Sequence, residues 1–236
     1  RRAKVLIIDL ETKYSLVIHL KMTGQLVYVA DNVRFGAGHP NDSLIHDLPD
    51  RSTRVQLKLD GATLFFNDQR KFGWVRLLPT IEIENLDFFI KVGPEPLGAD
   101  FSASDFVQRM QKRNNSVVKA ALLDQTVIAG VGNIYADESL WGAKIHPSTR
   151  VRDISEAKLK NLFSELKAVL ELSIEKGGST DRNYVNAEGK KGSYMSFARV
   201  FRRENQPCPR CGTTIQKIRV AGRGTHICPK CQKVKI

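Results

Sequence analysis

No stretch of these 236 residues approaches the roughly 18 consecutive apolar residues of a membrane helix. Nor does an apolar core followed by a small-residue cleavage site open the chain, as a secretory signal would. The expectation is a soluble, intracellular protein. Acids are also scarce: 25 Asp and Glu stand against 37 Lys and Arg, a net charge of +12 that favours a polyanionic partner. The shortage is sharpest at the end, where residues 199 to 236 hold ten basic side chains and one acid, Glu204. Cysteine is missing from the first 207 residues, and all four cysteines lie in that same basic segment. An initiator Met is missing too: the chain opens on RRAKVLIIDL, which reads as the middle of a sheet.

What is present divides in order along the chain. Six β-prone runs, Val5 to Leu10, Ser15 to Leu20, Gln25 to Val29, Arg54 to Leu59, Thr63 to Phe66 and Trp74 to Leu77, are separated by turn signals such as Asp60-Gly61. They predict a sandwich or barrel. The stretch from Asp31 to Asp50, rich in Gly, Pro, Asn and Asp, reads as a long loop. After Gly93-Pro94-Glu95-Pro96 the period becomes helical over Ser104 to Lys112, Ser116 to Asp124, Ile134 to Gly142 and Ser155 to Lys176. Asp153 and Glu156 fit a capping box for the last helix, and Gly177-Gly178 would end it.

Cys208-Pro-Arg-Cys211 and Cys228-Pro-Lys-Cys231 are two C-x2-C knuckles sixteen residues apart. That spacing suits one tetrahedral zinc ion bound by four thiolates, a closed and therefore structural site. The residues between suit a short hairpin that would not fold without the metal. At its tip, Arg223 lies between Gly222 and Gly224, an arrangement suited to a phosphate. Upstream, Gly130 and Gly132 precede Asn133, read as the N-cap of the next helix, whose free amides could also meet an anion. His226, beside the second knuckle, reads as a surface or supporting residue rather than a ligand, and the five histidines form no catalytic pattern.

The stretches GVGNIYADESL, GPEPL, His19-Leu20-Lys21-Met22-Thr23-Gly24 and GRGTHICPKCQ together resemble the formamidopyrimidine-DNA glycosylase and endonuclease VIII family. The resemblance runs from Arg1 to Gln232. It implies an α+β multidomain fold: an N-terminal β-sandwich (1–92), a helix-two-turn-helix domain (93–198) and a C-terminal zinc finger on a β-hairpin (199–236). It also implies a bacterial, cytoplasmic and nucleoid-associated monomer. Such a protein excises 8-oxoguanine and formamidopyrimidines from duplex DNA, then cleaves the abasic strand by β,δ-elimination. Met22, Arg70 and Phe72 match the family's wedges, which fill the hole left by an extruded base. Lys4 matches a catalytic lysine beside the lesion phosphate. Asn133, Arg223 and Lys71 match phosphate contacts. Residues 186–196, with Gly189, Lys190, Lys191, Gly192, Ser193 and Tyr194, align with the loop that closes over the extruded base.

Two departures stand out. Asp68-Gln-Arg-Lys-Phe-Gly73 replaces the usual Asp-Pro-Arg-Arg-Phe-Gly, and Gly-Lys-Lys-Gly-Ser-Tyr replaces Gly-Lys-Pro-Gly-Tyr-Phe. The family's nucleophile, an N-terminal proline amine with a glutamate beside it, is not among the 236 residues. The alignment puts Arg1 well inside the sandwich, so the expectation is that the natural protein carries the nucleophile upstream. Other readings are a damage-binding protein without a nucleophile, a relative of endonuclease VIII acting on oxidised pyrimidines, and a generic zinc-ribbon protein. The three wedges together argue against the last two.

Overall fold

The computed structural model describes residues 1–39, 46–179 and 191–234. It comprises two compact units: Arg1–Ile90 with Glu175–Met195, and Lys91–Ile174 with Ser196–Ile236. In the first unit, strands β1 (Val5–Asp9), β2 (Tyr14–His19) and β7 (Trp74–Pro79) form one antiparallel sheet, ordered β1-β2-β7. A second antiparallel sheet is ordered β4-β3-β6-β5, from β3 (Gly24–Ala30), β4 (Val33–Gly38), β5 (Thr53–Leu59) and β6 (Ala62–Asp68). All six expected strands are there. The seventh, β4, lies inside the stretch read as a loop, where glycines and polar residues hide the alternation while the backbone still pairs with β3 from Gln25 to Ala30. Asp60-Gly61 forms the expected two-residue hairpin turn, with Gly61 at φ +71°.

Strand alternation gives the four-stranded sheet two different faces. One buries Gln25, Val27, Phe65 and Asn67. The other carries Leu26, Tyr28, Phe35, Leu57 and Leu64, none of them buried, with Phe35 stacked on Tyr28 at 4.9 Å.

The second unit packs α2 (Ala103–Gln111), α3 (Val118–Leu123), α4 (Asn133–Gly142) and most of α5 (Glu156–Glu175) around one apolar core. Short α1 (Asp87–Lys91) precedes them. Helix α5 buries Leu159, Leu162, Phe163, Leu166 and Val169, as its spacing requires, and the chain turns at Gly177 and Gly178, both at positive φ. Its start differs from the expected capping box. Asp153 ends a separate 3-10 turn, and the Ser155 hydroxyl accepts a long bond from the Lys158 N–H instead. A true reciprocal capping box opens α2, between Ser102 and Asp105. Strands β8 (Gln216–Val220) and β9 (Arg223–Ile227) form the hairpin between the cysteine knuckles.

Candidate nucleic-acid interface

In the β unit, two turns project the wedge candidates. Met22 sits between β2 and β3, and Arg70, Lys71 and Phe72 between β6 and β7. Met22 is 57% exposed and Phe72 54%, far too open for core residues. The Arg70 guanidinium lies over the Phe72 ring, 4.6 Å from its centre. Lys21 (φ +52°) and Lys71 (φ +58°) put one left-handed residue into each turn. Asp68, buried at the end of β6, accepts from the Gly73 N–H at 2.7 Å, the Arg70 N–H at 3.2 Å and the Thr23 hydroxyl. Burial works to raise the Asp68 carboxyl, and the Thr23, Gly73, Arg70 and Phe72 donors together outweigh it and hold it below the usual range. Gly73 has no room for a side chain: a Cβ there would lie 2.7 Å from the Phe66 ring and 2.9 Å from the His19 carbonyl.

Lys4 occupies a left-handed turn (φ +67°) just before β1 rather than a strand. Burial, then the Lys21 and Lys4 charges, lower His19 to about 4, so its imidazole is neutral at pH 7. Because Nδ1 accepts from the Lys21 N–H at 3.1 Å, the remaining hydrogen is on Nε2.

In the second unit, the segment before α4 is held from several directions. Gly93 donates to the Gln125 carbonyl, Ala129 to the Pro94 carbonyl, and the Gln125 side chain bonds the Gly130 N–H and the Val131 carbonyl. A Cβ on Gly93 would stand 2.8 Å from the Val127 backbone, which explains the glycine of GPEPL. Asn133 is not the N-cap. Gly132 takes that place, and Asn133, the first helical residue, donates from Nδ2 to the Gly224 carbonyl at 3.0 Å. That bond sets Asn133 beside the turn bearing Arg223, whose side chain is exposed.

Below this surface lies a buried ionic network. The Lys119 ammonium, fully buried, donates to Asp137 Oδ1 at 2.6 Å, to the Thr225 hydroxyl at 2.7 Å and to the Gly224 carbonyl at 3.3 Å. Asp137 Oδ2 accepts from the His226 N–H at 2.9 Å, and His226 Nε2 lies 3.2 Å from Glu204. His226 is therefore a buried link in the network and not a surface residue. Next along α4, Glu138 accepts three consecutive amides, Arg199, Val200 and Phe201, at 2.8 to 2.9 Å. Burial nevertheless pushes its carboxyl up.

The four cysteines are unbonded to one another, and their sulfurs all lie within 4.8 Å of each other, with two pairs at 3.5 Å. A tetrahedron with metal–sulfur bonds of about 2.3 Å needs sulfurs about 3.8 Å apart, so the set fits one zinc ion and leaves no open coordination position. The zinc is structural. The Thr213 hydroxyl and amide lower Cys211 to about 6, while burial pushes Cys228 up to about 12. Cys211 is thus a thiolate at neutral pH unaided, and a bound dication would hold Cys228 as one too. The Trp141 indole packs beside Cys208, and Arg210 lies 3.8 Å from the indole centre while bonding the Trp141 and Gly142 carbonyls. Gln232 accepts from the Cys228 N–H and donates to the Ile145 carbonyl, joining the second knuckle to the helices.

Three family models match: the formamidopyrimidine-DNA glycosylase N-terminal domain over residues 1–75, the formamidopyrimidine-DNA glycosylase H2TH domain over 92–184, and the zinc finger found in FPG and IleRS over 205–234. The formamidopyrimidine-DNA glycosylase of Herpetosiphon aurantiacus is 44% identical over 233 residues, 98% of this chain and 79% of the relative. That of Streptococcus mutans is 40% identical over 234 residues, 99% of this chain and 80% of the relative. The chain belongs to the formamidopyrimidine-DNA glycosylase family. The Lactococcus lactis Fpg, solved in complex with DNA containing an abasic site, superimposes with a TM-score of 0.83 at 34% identity, covering 99% of this chain and 80% of that one. A complex of MutM with DNA containing carbocyclic 8-oxo-G matches equally well, with a TM-score of 0.83 over 99% of this chain and 80% of that one.

Of the residues expected to form a loop over the extruded base, Gly189 and Lys190 lie outside the described residues. Lys191 is exposed, Ser193 pairs with Ser179, and Tyr194 is buried at the start of a 3-10 turn, Tyr194–Phe197. Asp68, Asp137 and Glu138 carry no motif of their own in the sequence. The available signal was weak but present: two adjacent acids stand inside α4, whose residues from Ala136 to Gly142 are all buried. An acid on such a helix needs a partner.

Proposed function

We propose that this chain binds duplex DNA at oxidised purines, extrudes the damaged nucleotide and holds it for base excision and strand cleavage. The observation that carries the reading is the pair of exposed turns that present Met22, Arg70 and Phe72 from one buried carboxylate. Apolar side chains so placed would be a liability on an ordinary soluble surface, and they suit a gap in a base stack. Arg70 would face the widowed cytosine, while Lys71, Asn133 and Arg223 would take backbone phosphates. The loop through Gly189, Lys190, Lys191, Gly192, Ser193 and Tyr194 would close over the extruded base. Lys4 would reach the phosphate beside the lesion. All three wedges together favour the purine-excising branch over the endonuclease VIII branch. A cytoplasmic site of action, on the nucleoid, follows from that substrate.

The chemistry of the family needs a secondary amine that attacks the sugar carbon as the base leaves, giving a Schiff base from which the strand is eliminated. That proline and its glutamate are not among residues 1–236. Borohydride trapping on an 8-oxoguanine:cytosine duplex, with N-terminal peptide analysis of the same protein, tests the reading. The expected result is a covalent adduct on an N-terminal proline. Lesion binding with no adduct would favour the damage-binding alternative, and indifference to the lesion would overturn the reading.

Arg223→Ala should weaken binding to damaged and intact duplex alike and reduce the slope of log K against log salt by about one, because a phosphate contact positions without specifying. Salt titrations on both duplexes measure this. An unchanged slope would remove Arg223 from the backbone contacts.

A further inference from the structure

We infer that Asp68 and Thr23 are positioning residues that lock Met22 and the Arg70–Phe72 pair into a single insertion device, an assignment that rests on the wedge reading above. A carboxylate that merely capped its own turn would need the amides of that turn. Asp68 does take those of Arg70 and Gly73. It also accepts the hydroxyl of Thr23, which lies 45 residues away and next to Met22. The Thr23 hydroxyl in turn accepts from the Arg70 N–H at 3.1 Å. Two turns distant in sequence are thus closed on one another through a shared pair of polar groups.

The base of this clasp is held on its other sides. The Asp68 N–H donates to the Ser52 carbonyl at 2.8 Å, and its carbonyl accepts from Arg54 Nε at 2.9 Å. The turn bearing Met22 is equally tight. The Gly24 N–H donates to the Leu20 carbonyl, and a Cβ on Gly24 would come within 2.4 Å of that oxygen. Beyond the clasp, Met22 and Phe72 are more than half exposed, so core packing does not fix their directions. A wedge that must enter a base stack gains affinity when it is ordered beforehand, since the ordering entropy is not charged at binding. An ionised carboxylate suits the role because both oxygens accept, whereas an amide would turn N–H groups toward the donors of Gly73 or of Arg70 and Thr23.

The test uses the full-length protein and a duplex with a tetrahydrofuran abasic analogue opposite cytosine and 2-aminopurine beside the gap. Fluorescence reports insertion, and competition with intact duplex gives discrimination. Asp68→Asn and Thr23→Val should each lower discrimination about tenfold, as expected for one charge-assisted bond lost, and blunt the fluorescence change. Intact-duplex affinity and its salt slope should hold, and Thr23→Ser should retain wild-type behaviour. Phe72→Ala separates the two readings. If it leaves discrimination unchanged, the wedges themselves are misassigned. If it abolishes discrimination while Thr23→Val and a folded Asp68→Asn behave as wild type, the positioning role is overturned. Should Asp68→Asn fail to fold, Thr23→Val decides.

Discussion

Asp137→Asn should destabilise the helix–finger unit by about 3–5 kcal/mol, the usual result of removing one partner from a buried ion pair. The variant keeps the shape of the side chain and removes the charge that compensates a fully buried ammonium. Burial already pulls Lys119 below its ordinary value, with Asp137 opposing that pull. Without the carboxylate the pull grows. The unfolded chain then binds more protons than the folded one between the two Lys119 values, so stability rises with pH in that window. Wild-type Lys119 is itself lowered, so the deficit should shrink as pH rises from the variant's folded Lys119 value to the wild type's and stay constant above it. Urea unfolding at pH 7 and pH 10 measures it. A pH-independent deficit would mean that the ammonium is not the source. Lys119→Met combined with Asp137→Leu should recover much of the loss, because two apolar groups leave no buried charge.

Removing the zinc should have the larger effect on function. Structural zinc sites contribute roughly 10–16 kcal/mol at neutral pH in finger peptides, more than a small domain's whole stability. Cys208→Ala, or chelation, should unfold the hairpin from Cys208 to Gln232 and take Arg223 out of register, with DNA binding lost in parallel. The apolar core of α2 to α5 contains no residue of the hairpin, so helical circular dichroism should largely survive. Acid should act in the same direction, since thiols must lose protons to bind the metal and regain them as pH falls. Retained hairpin signals and DNA affinity in metal-free protein would overturn the structural role of the zinc.

Much of the architecture is legible in the sequence. Period-2 runs mark six of the seven strands described in the first unit, Asp60-Gly61 marks a hairpin, the α5 stripe marks its buried face, and the cysteine spacing marks the metal site. The misses share one physical origin. Strand β4 has a sequence of turn-like composition and is held by its neighbour's backbone, so local propensity says little about it. The N-cap was misplaced by one residue because the Asn133 side chain has a better use, across ninety residues of sequence, on the Gly224 carbonyl. Asp137 and Glu138 act through partners that folding brings together, as Asp68 does through Thr23, 45 residues away, and no short window of sequence contains both ends of those bonds. The match of Met22, Arg70, Phe72, Asn133 and Arg223 to the family's wedges and clamps is legible as a resemblance; the buried groups beneath them are not.

The long reach of those bonds bears on the order in which the protein assembles. Glu138 gathers amides 61 to 63 residues downstream, and Lys119 reaches a hydroxyl 106 residues away. Loop closure of this length costs little more than a loop half as long, yet it must be met before such contacts reward it. Helices α3 and α4 lie earlier in the chain, leave the ribosome before the hairpin, and build their core from nearby residues. The finger therefore docks on a surface already formed. The hairpin, synthesised after those helices, holds the four cysteines, satisfies the buried lysine and sets the turn at Arg223, so synthesis must reach the second knuckle before this network is complete.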